Sequence, residues 1–119
     1  MKDKLLLRKT SPDLEERIVI IMKDYIGKYV ILRSGKAGVF AGTLDEKDGD
    51  EVKMSNVRRL WYWKGAASLS QIAVDGVKCP NDCKFSISVN EMIISDVIEI
   101  IPTTQSAETC IKGVKEWRV

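Results

Sequence analysis

Apolar and polar positions along the chain group into short strands and two short helices. From Lys28 to Arg33 and from Gly38 to Glu46, β-branched and aromatic residues dominate, and Ser34-Gly35-Lys36 separates them, which predicts a hairpin. Asp48-Gly49-Asp50 is the next turn, because Asp-Gly supplies the positive φ that tight hairpins need, and Glu51 to Trp63 pairs back. In that third strand the period of two sends Val52, Met54, Leu60 and Tyr62 to the core. Lys53, Ser55, Val57, Arg59, Trp61 and Trp63 go to the other face.

Gly65-Ala66-Ala67-Ser68 leads into a short helix with Leu69, Ile72 and Ala73 at helical spacing and Gly76 as its stop. Cys79 to Cys83 reads as loop and Lys84 to Val89 as a short strand. Met92 to Ile101 reads as a longer strand bent or bulged at Ser95-Asp96. Thr103 or Thr104 caps a last helix in which Ala107, Cys110, Ile111 and Val114 line one face, ending near Gly113, and the tail Glu116-Trp117-Arg118 is apolar enough to dock. The expected fold class is α+β: a small, mainly antiparallel sheet of four or five strands with two short helices.

Residues 1–21 stand apart, with a basic start, a Ser11-Pro12-Asp13 punctuation and an apolar run from Ile18 to Ile21. They read as an extension with translation beginning at Met22, as an extra N-terminal helix capped by Ser11 with Pro12 at its first position, or as both. Residues 22–119 read as a single ligand-binding domain.

Composition narrows the function classes. A chain of 119 residues with 45% apolar and 30% charged residues is long enough for one packed core. Nineteen basic against 17 acidic residues leave +2, too little for duplex nucleic acid to be held by bulk electrostatics, so an anionic ligand must be held locally. The lack of a long apolar run or of signal-peptide order leads us to expect a cytosolic protein. Three cysteines read as reduced thiols, and Cys79 and Cys83 lack the further ligands a zinc site needs.

The chain has no histidine, which removes the usual neutral-pH base and the Ser-His-Asp and Cys-His pairs. Phosphate-loop, dinucleotide and zinc-protease motifs are missing as well. Glu91, Asp96 and Glu99 are near in sequence, but on a strand Glu91 and Glu99 lie roughly 26 Å apart, unlike a paired acid and base. Binding without catalysis and without a cofactor is the expectation.

The run Arg58-Arg59-Leu60-Trp61-Tyr62-Trp63 concentrates two guanidinium groups and three aromatic rings in six residues. Aromatic faces stack on nucleobases and arginine forks pair with phosphate oxygens, which is what a nucleotide requires. The helix starting near Ser68 would add N–H groups and the positive end of a dipole beside Lys64, where a pyrophosphate could sit. The same residues equally describe a subunit contact, and a pocket between subunits satisfies both readings. Phe85 is a second stacking platform or a buried strand residue. Asn90 reads the edge of a base or forms a turn. Arg118 reaches a phosphate or lies in solvent.

From Met22 to Trp117 the chain resembles the phage Thoeris anti-defence proteins of the first type. The resemblance is carried by Asp24-Tyr25-Ile26-Gly27-Lys28-Tyr29-Val30, by Ala37-Gly38-Val39-Phe40-Ala41-Gly42, by Arg58 to Trp63 continuing through Gly65-Ala66-Ala67-Ser68-Leu69-Ser70-Gln71, and by Cys83-Lys84-Phe85. It implies a sponge in the cytoplasm of an infected or lysogenic bacterium. Such a sponge sequesters, without cleaving, the glycocyclic ADP-ribose signal made by TIR proteins. It also implies a homo-oligomer, dimer or higher, with ligands near subunit boundaries and room for cyclic oligonucleotides. Carried over by position, the ligand-binding set is Arg58, Arg59, Trp61, Trp63, Gln71, Phe85, Asn90 and Arg118. The alternatives are a single-stranded nucleic-acid binder and a structural assembly protein.

Overall fold

The computed structural model describes residues 23–119, so the expected helix at Ser11 and the Met22 start lie outside the described residues. Within them an α+β fold is built from six strands and two α-helices. The strands are β1 (Tyr29–Ser34), β2 (Gly38–Asp48), β3 (Glu51–Tyr62), β4 (Lys84–Phe85), β5 (Val89–Ile94) and β6 (Val97–Pro102). The helices are α1 (Leu69–Asp75) and α2 (Gln105–Gly113). None of these helices is long and apolar enough to cross a membrane.

The two expected hairpins pair β1 with β2 and β2 with β3, and β6 adds antiparallel to β1. The other edge of β3 is shared: Val52 to Val57 pair with β5, while Leu60 and Tyr62 pair with β4. β5 and β6 therefore run as one strand with a corner at Ser95-Asp96, pairing first with β3 and then with β1, and the sheet curls round on itself. The corner is tied to both hairpin turns. Gly35 N–H donates to the Asp96 carbonyl at 2.9 Å, the Ser34 hydroxyl donates to the Ser95 carbonyl at 2.8 Å, and Val97 N–H donates to the Asp50 carbonyl at 2.9 Å. Asp96 has φ 59°, the left-handed conformation that Asp tolerates at such a bend. The segment expected as a strand from Lys84 to Val89 is strand at Lys84, Phe85 and Val89 and irregular between them, where the chain passes along the edge of β3 from its pairing with Leu60 to its pairing with Val57.

Curling gives the sheet two buried faces. Inside the curl lie Val30, Leu32, Phe40, Leu44, Val52, Met54, Val57 and Ile94. The outer face, with Tyr29, Ile31, Leu60 and Phe85, is covered by Ile72 and Ala73 of α1 and Ile111 of α2. Strict alternation on β3 fails at one place. Asn56 has φ 47° and the β2–β3 register shifts there, a bulge that inserts one extra residue. Val57, expected outside, consequently joins Val52 and Met54 in the inner core, and Leu60 belongs to the opposite core.

Both helices start as their sequences predict. The Ser68 hydroxyl accepts from Gln71 N–H at 3.1 Å, and the Thr104 hydroxyl accepts from Ala107 N–H at 3.1 Å. The tail docks on β4: Trp117 N–H donates to the Phe85 carbonyl at 2.9 Å, and Glu116 bridges Phe85 in parallel.

Candidate ligand cleft

After the Asn56 bulge, Val57, Arg59 and Trp61 share a face of β3, and Arg58 and Leu60 take the other. Phe40 stands across from Arg59, and the Arg59 guanidinium lies 4.8 Å from the centre of the Phe40 ring. Continuing that register sets Gly38 opposite Trp61, where no side chain can cover the indole. Trp61 is accordingly 65% exposed. The docked tail brings Trp117, 50% exposed, to the same place, with the Lys84 ammonium 5.4 Å from the centre of its ring.

Ala37, Arg59, Trp61, Ser86 and Trp117 line an open cleft of about 410 Å³. The wall at Ser86 is fixed by paired bonds with Arg59: Arg59 N–H donates to the Ser86 hydroxyl at 2.7 Å, and Ser86 N–H donates to the Arg59 carbonyl at 2.9 Å. Two indoles and a guanidinium lining one cleft, with an ammonium near one of the rings, can stack a planar ring and meet an anion. The volume falls within the roughly 300–1,000 Å³ usual for small-molecule sites. On the far side of Trp117 a second depression of about 230 Å³ is lined by Pro80, Asn81, Lys115 and Arg118, among others.

Of the eight residues expected to bind ligand, the cleft contains Arg59 and Trp61. Arg58 is a correction. It is 3% exposed, and its guanidinium donates to the carbonyls of Ser86 (2.9 Å), Ile111 (2.9 Å), Val114 (2.9 Å) and Phe85 (3.2 Å), so no donor edge faces the cleft. Burial lowers its pKa from the ordinary arginine value, and nearby Tyr29 and Glu116 oppose the shift. Phe85 is a second correction: it is fully buried in the outer core and cannot stack on a ligand. Trp63 is half-buried and packs on the same outer core, and it is not among the residues lining the cleft.

Gln71 closes the N-terminus of α1, its side-chain oxygen accepting from Ala67 N–H at 2.8 Å. The amides of Ala67 and Gln71 are thereby occupied within the cap, and the anion site expected there finds no support. Asn90 is exposed on β5, outside the cleft. Arg118 is exposed and ion-paired with Glu116 at 2.7 Å, beside the second depression. Trp117, Ser86 and Ala37 were not among the expected residues. The docking tail was the available signal for Trp117, whereas nothing local marks Ser86 or Ala37.

Among the described residues, Cys79, Cys83 and Cys110 are free thiols, and no group of three potential ligands is placed to hold a metal ion. Burial raises the Cys83 thiol pKa. Residues 27–111 match the family described as a domain of unknown function, DUF6948. No curated protein and no solved structure matches the chain.

Proposed function

The chain belongs to the DUF6948 family, and from that premise we propose that it is a non-catalytic binder that sequesters a small nucleotide in the Arg59–Trp61–Trp117 cleft. The single observation carrying this reading is the pair of exposed tryptophans that line one open cleft together with an arginine. Lone exposed apolar residues are ordinary on protein surfaces, but two indoles and a guanidinium lining one cavity, with an ammonium near one of the rings, form a surface suited to a planar, anionic molecule.

The resemblance to Thoeris anti-defence proteins of the first type makes glycocyclic ADP-ribose the ligand of choice, with cyclic oligonucleotides next, and the phage-infected bacterial cytoplasm the place of action. Its adenine suits an indole face and its two phosphates suit Arg59 and Lys84. A sponge must hold its ligand at nanomolar strength, about 12 kcal/mol. A cleft this open leaves much of a nucleotide in water, so we extend the proposal to a homo-oligomer in which a second copy closes the cleft.

Isothermal titration with glycocyclic ADP-ribose, then heat release and chromatography of the ligand, tests the proposal. Tight binding with the intact molecule recovered is expected. Recovery of a cleaved product would overturn the non-catalytic reading. No binding, with affinity for single-stranded oligonucleotides that falls steeply with salt, would replace the sponge by a nucleic-acid binder.

A further inference from the structure

We propose that buried Arg58 is a positioning residue for the ligand cleft, a clasp that fixes the C-terminal tail so that Trp117 stands opposite Trp61. The inference rests on the cleft being the ligand site. One guanidinium grips two parts of the chain far apart in sequence. Its Nε and Nη2 hold the carbonyls of Ser86 and Phe85, and its Nη1 holds those of Ile111 and Val114 at the end of α2. Ser86 is one wall of the cleft, and Val114 is the root of the tail that carries the other wall.

Among the described residues all four of these contacts are to main-chain carbonyls, and two belong to the C-terminal end of a helix, where a cation is favoured. The planar fork of arginine suits this task and the point charge of lysine does not. The Phe85 carbonyl receives both Arg58 Nη2 and the main-chain N–H of Trp117, so the clasp and the tail meet on one oxygen. Among the described residues, the tail beyond Val114 is held by the Phe85 ladder and by the Lys84 ammonium near the Trp117 ring. Loosening its root therefore frees Trp117.

The test uses the full chain with Trp61 and Trp63 replaced by phenylalanine, leaving Trp117 as the sole indole, and compares Arg58 with Arg58→Lys. Acrylamide quenching of Trp117 is expected to rise toward that of free N-acetyltryptophanamide in R58K while far-UV circular dichroism keeps the folded signature. Unchanged quenching in folded R58K overturns the clasp whether or not any ligand is known. If R58K does not fold, two glycines inserted between Val114 and Lys115 leave the arginine bonds in place and slacken the tail. The same rise in quenching is then expected, and its absence overturns the clasp.

With all tryptophans restored, R58K and Trp117→Ala are each expected to weaken glycocyclic ADP-ribose about tenfold, and together no more than either alone. Additive losses would overturn the route through Trp117. Release of Trp117 in a protein that never binds the nucleotide supports the clasp and sinks the ligand reading instead.

Discussion

Arg58 and Arg59 are neighbours with opposite fates, and the difference is one step of the strand's alternation. Arg58 turns inward to four carbonyls, so Arg58→Met should leave buried acceptors without partners and cost about 3 kcal/mol or more, read by urea denaturation. Arg59 is exposed and covers Phe40; Arg59→Ala should change stability by no more than about 1 kcal/mol and weaken nucleotide binding in titration. Phe85 fills the outer core, so Phe85→Ala should cost about 3–5 kcal/mol, and a near-neutral denaturation curve would count against its placement.

At the scale of elements, the bulge on β3 decides which of these side chains reaches the cleft. Gly42 lies where the β2–β3 register shifts, and a Cβ added there would come within 2.8 Å of the Val57 backbone and side chain. Gly42→Val should therefore destabilise by about 1–3 kcal/mol through overpacking; an unchanged denaturation midpoint would mean that the strands separate there at no cost. Hairpins, caps and the Ser95-Asp96 corner were legible because their signals are local: Asp-Gly, Ser or Thr before an apolar helical face, a polar pair inside an apolar run. The faces of β3 were legible only up to Asn56. A bulge is fixed by what the partner strand can accommodate, here a glycine, and no periodicity within β3 announces it. Trp61 stood out because its exposure follows from alternation and a neighbouring glycine. Trp117 was legible as a docking residue but not as a wall of the cleft, since its place depends on a tail lying against Phe85, some 30 residues earlier in the chain.

For the whole molecule, β1 ties the two cores together, as β2 and β3 also do, giving Tyr29 and Ile31 to one and Val30 and Leu32 to the other. Losing either face should therefore unfold both, in one transition seen alike by tryptophan fluorescence and circular dichroism. Tyr29 makes that coupling testable with pH. Burial raises its hydroxyl pKa from 10.0 to about 12; Arg58 acts in the opposite sense, and Glu108 adds to the rise. The unfolded chain binds its proton less tightly, so the contribution is fully present below pH 10 and is lost as pH rises from there toward 12. A shift of this size corresponds to roughly 3 kcal/mol between those limits. Urea midpoints measured from pH 8 to 12 should fall over the upper half of the range, and in Tyr29→Phe that fall should flatten, because phenylalanine fills the same space without a proton to lose. A fall of equal size in Tyr29→Phe would assign the alkaline loss to other groups and remove Tyr29 as the link between ionisation and the shared strand.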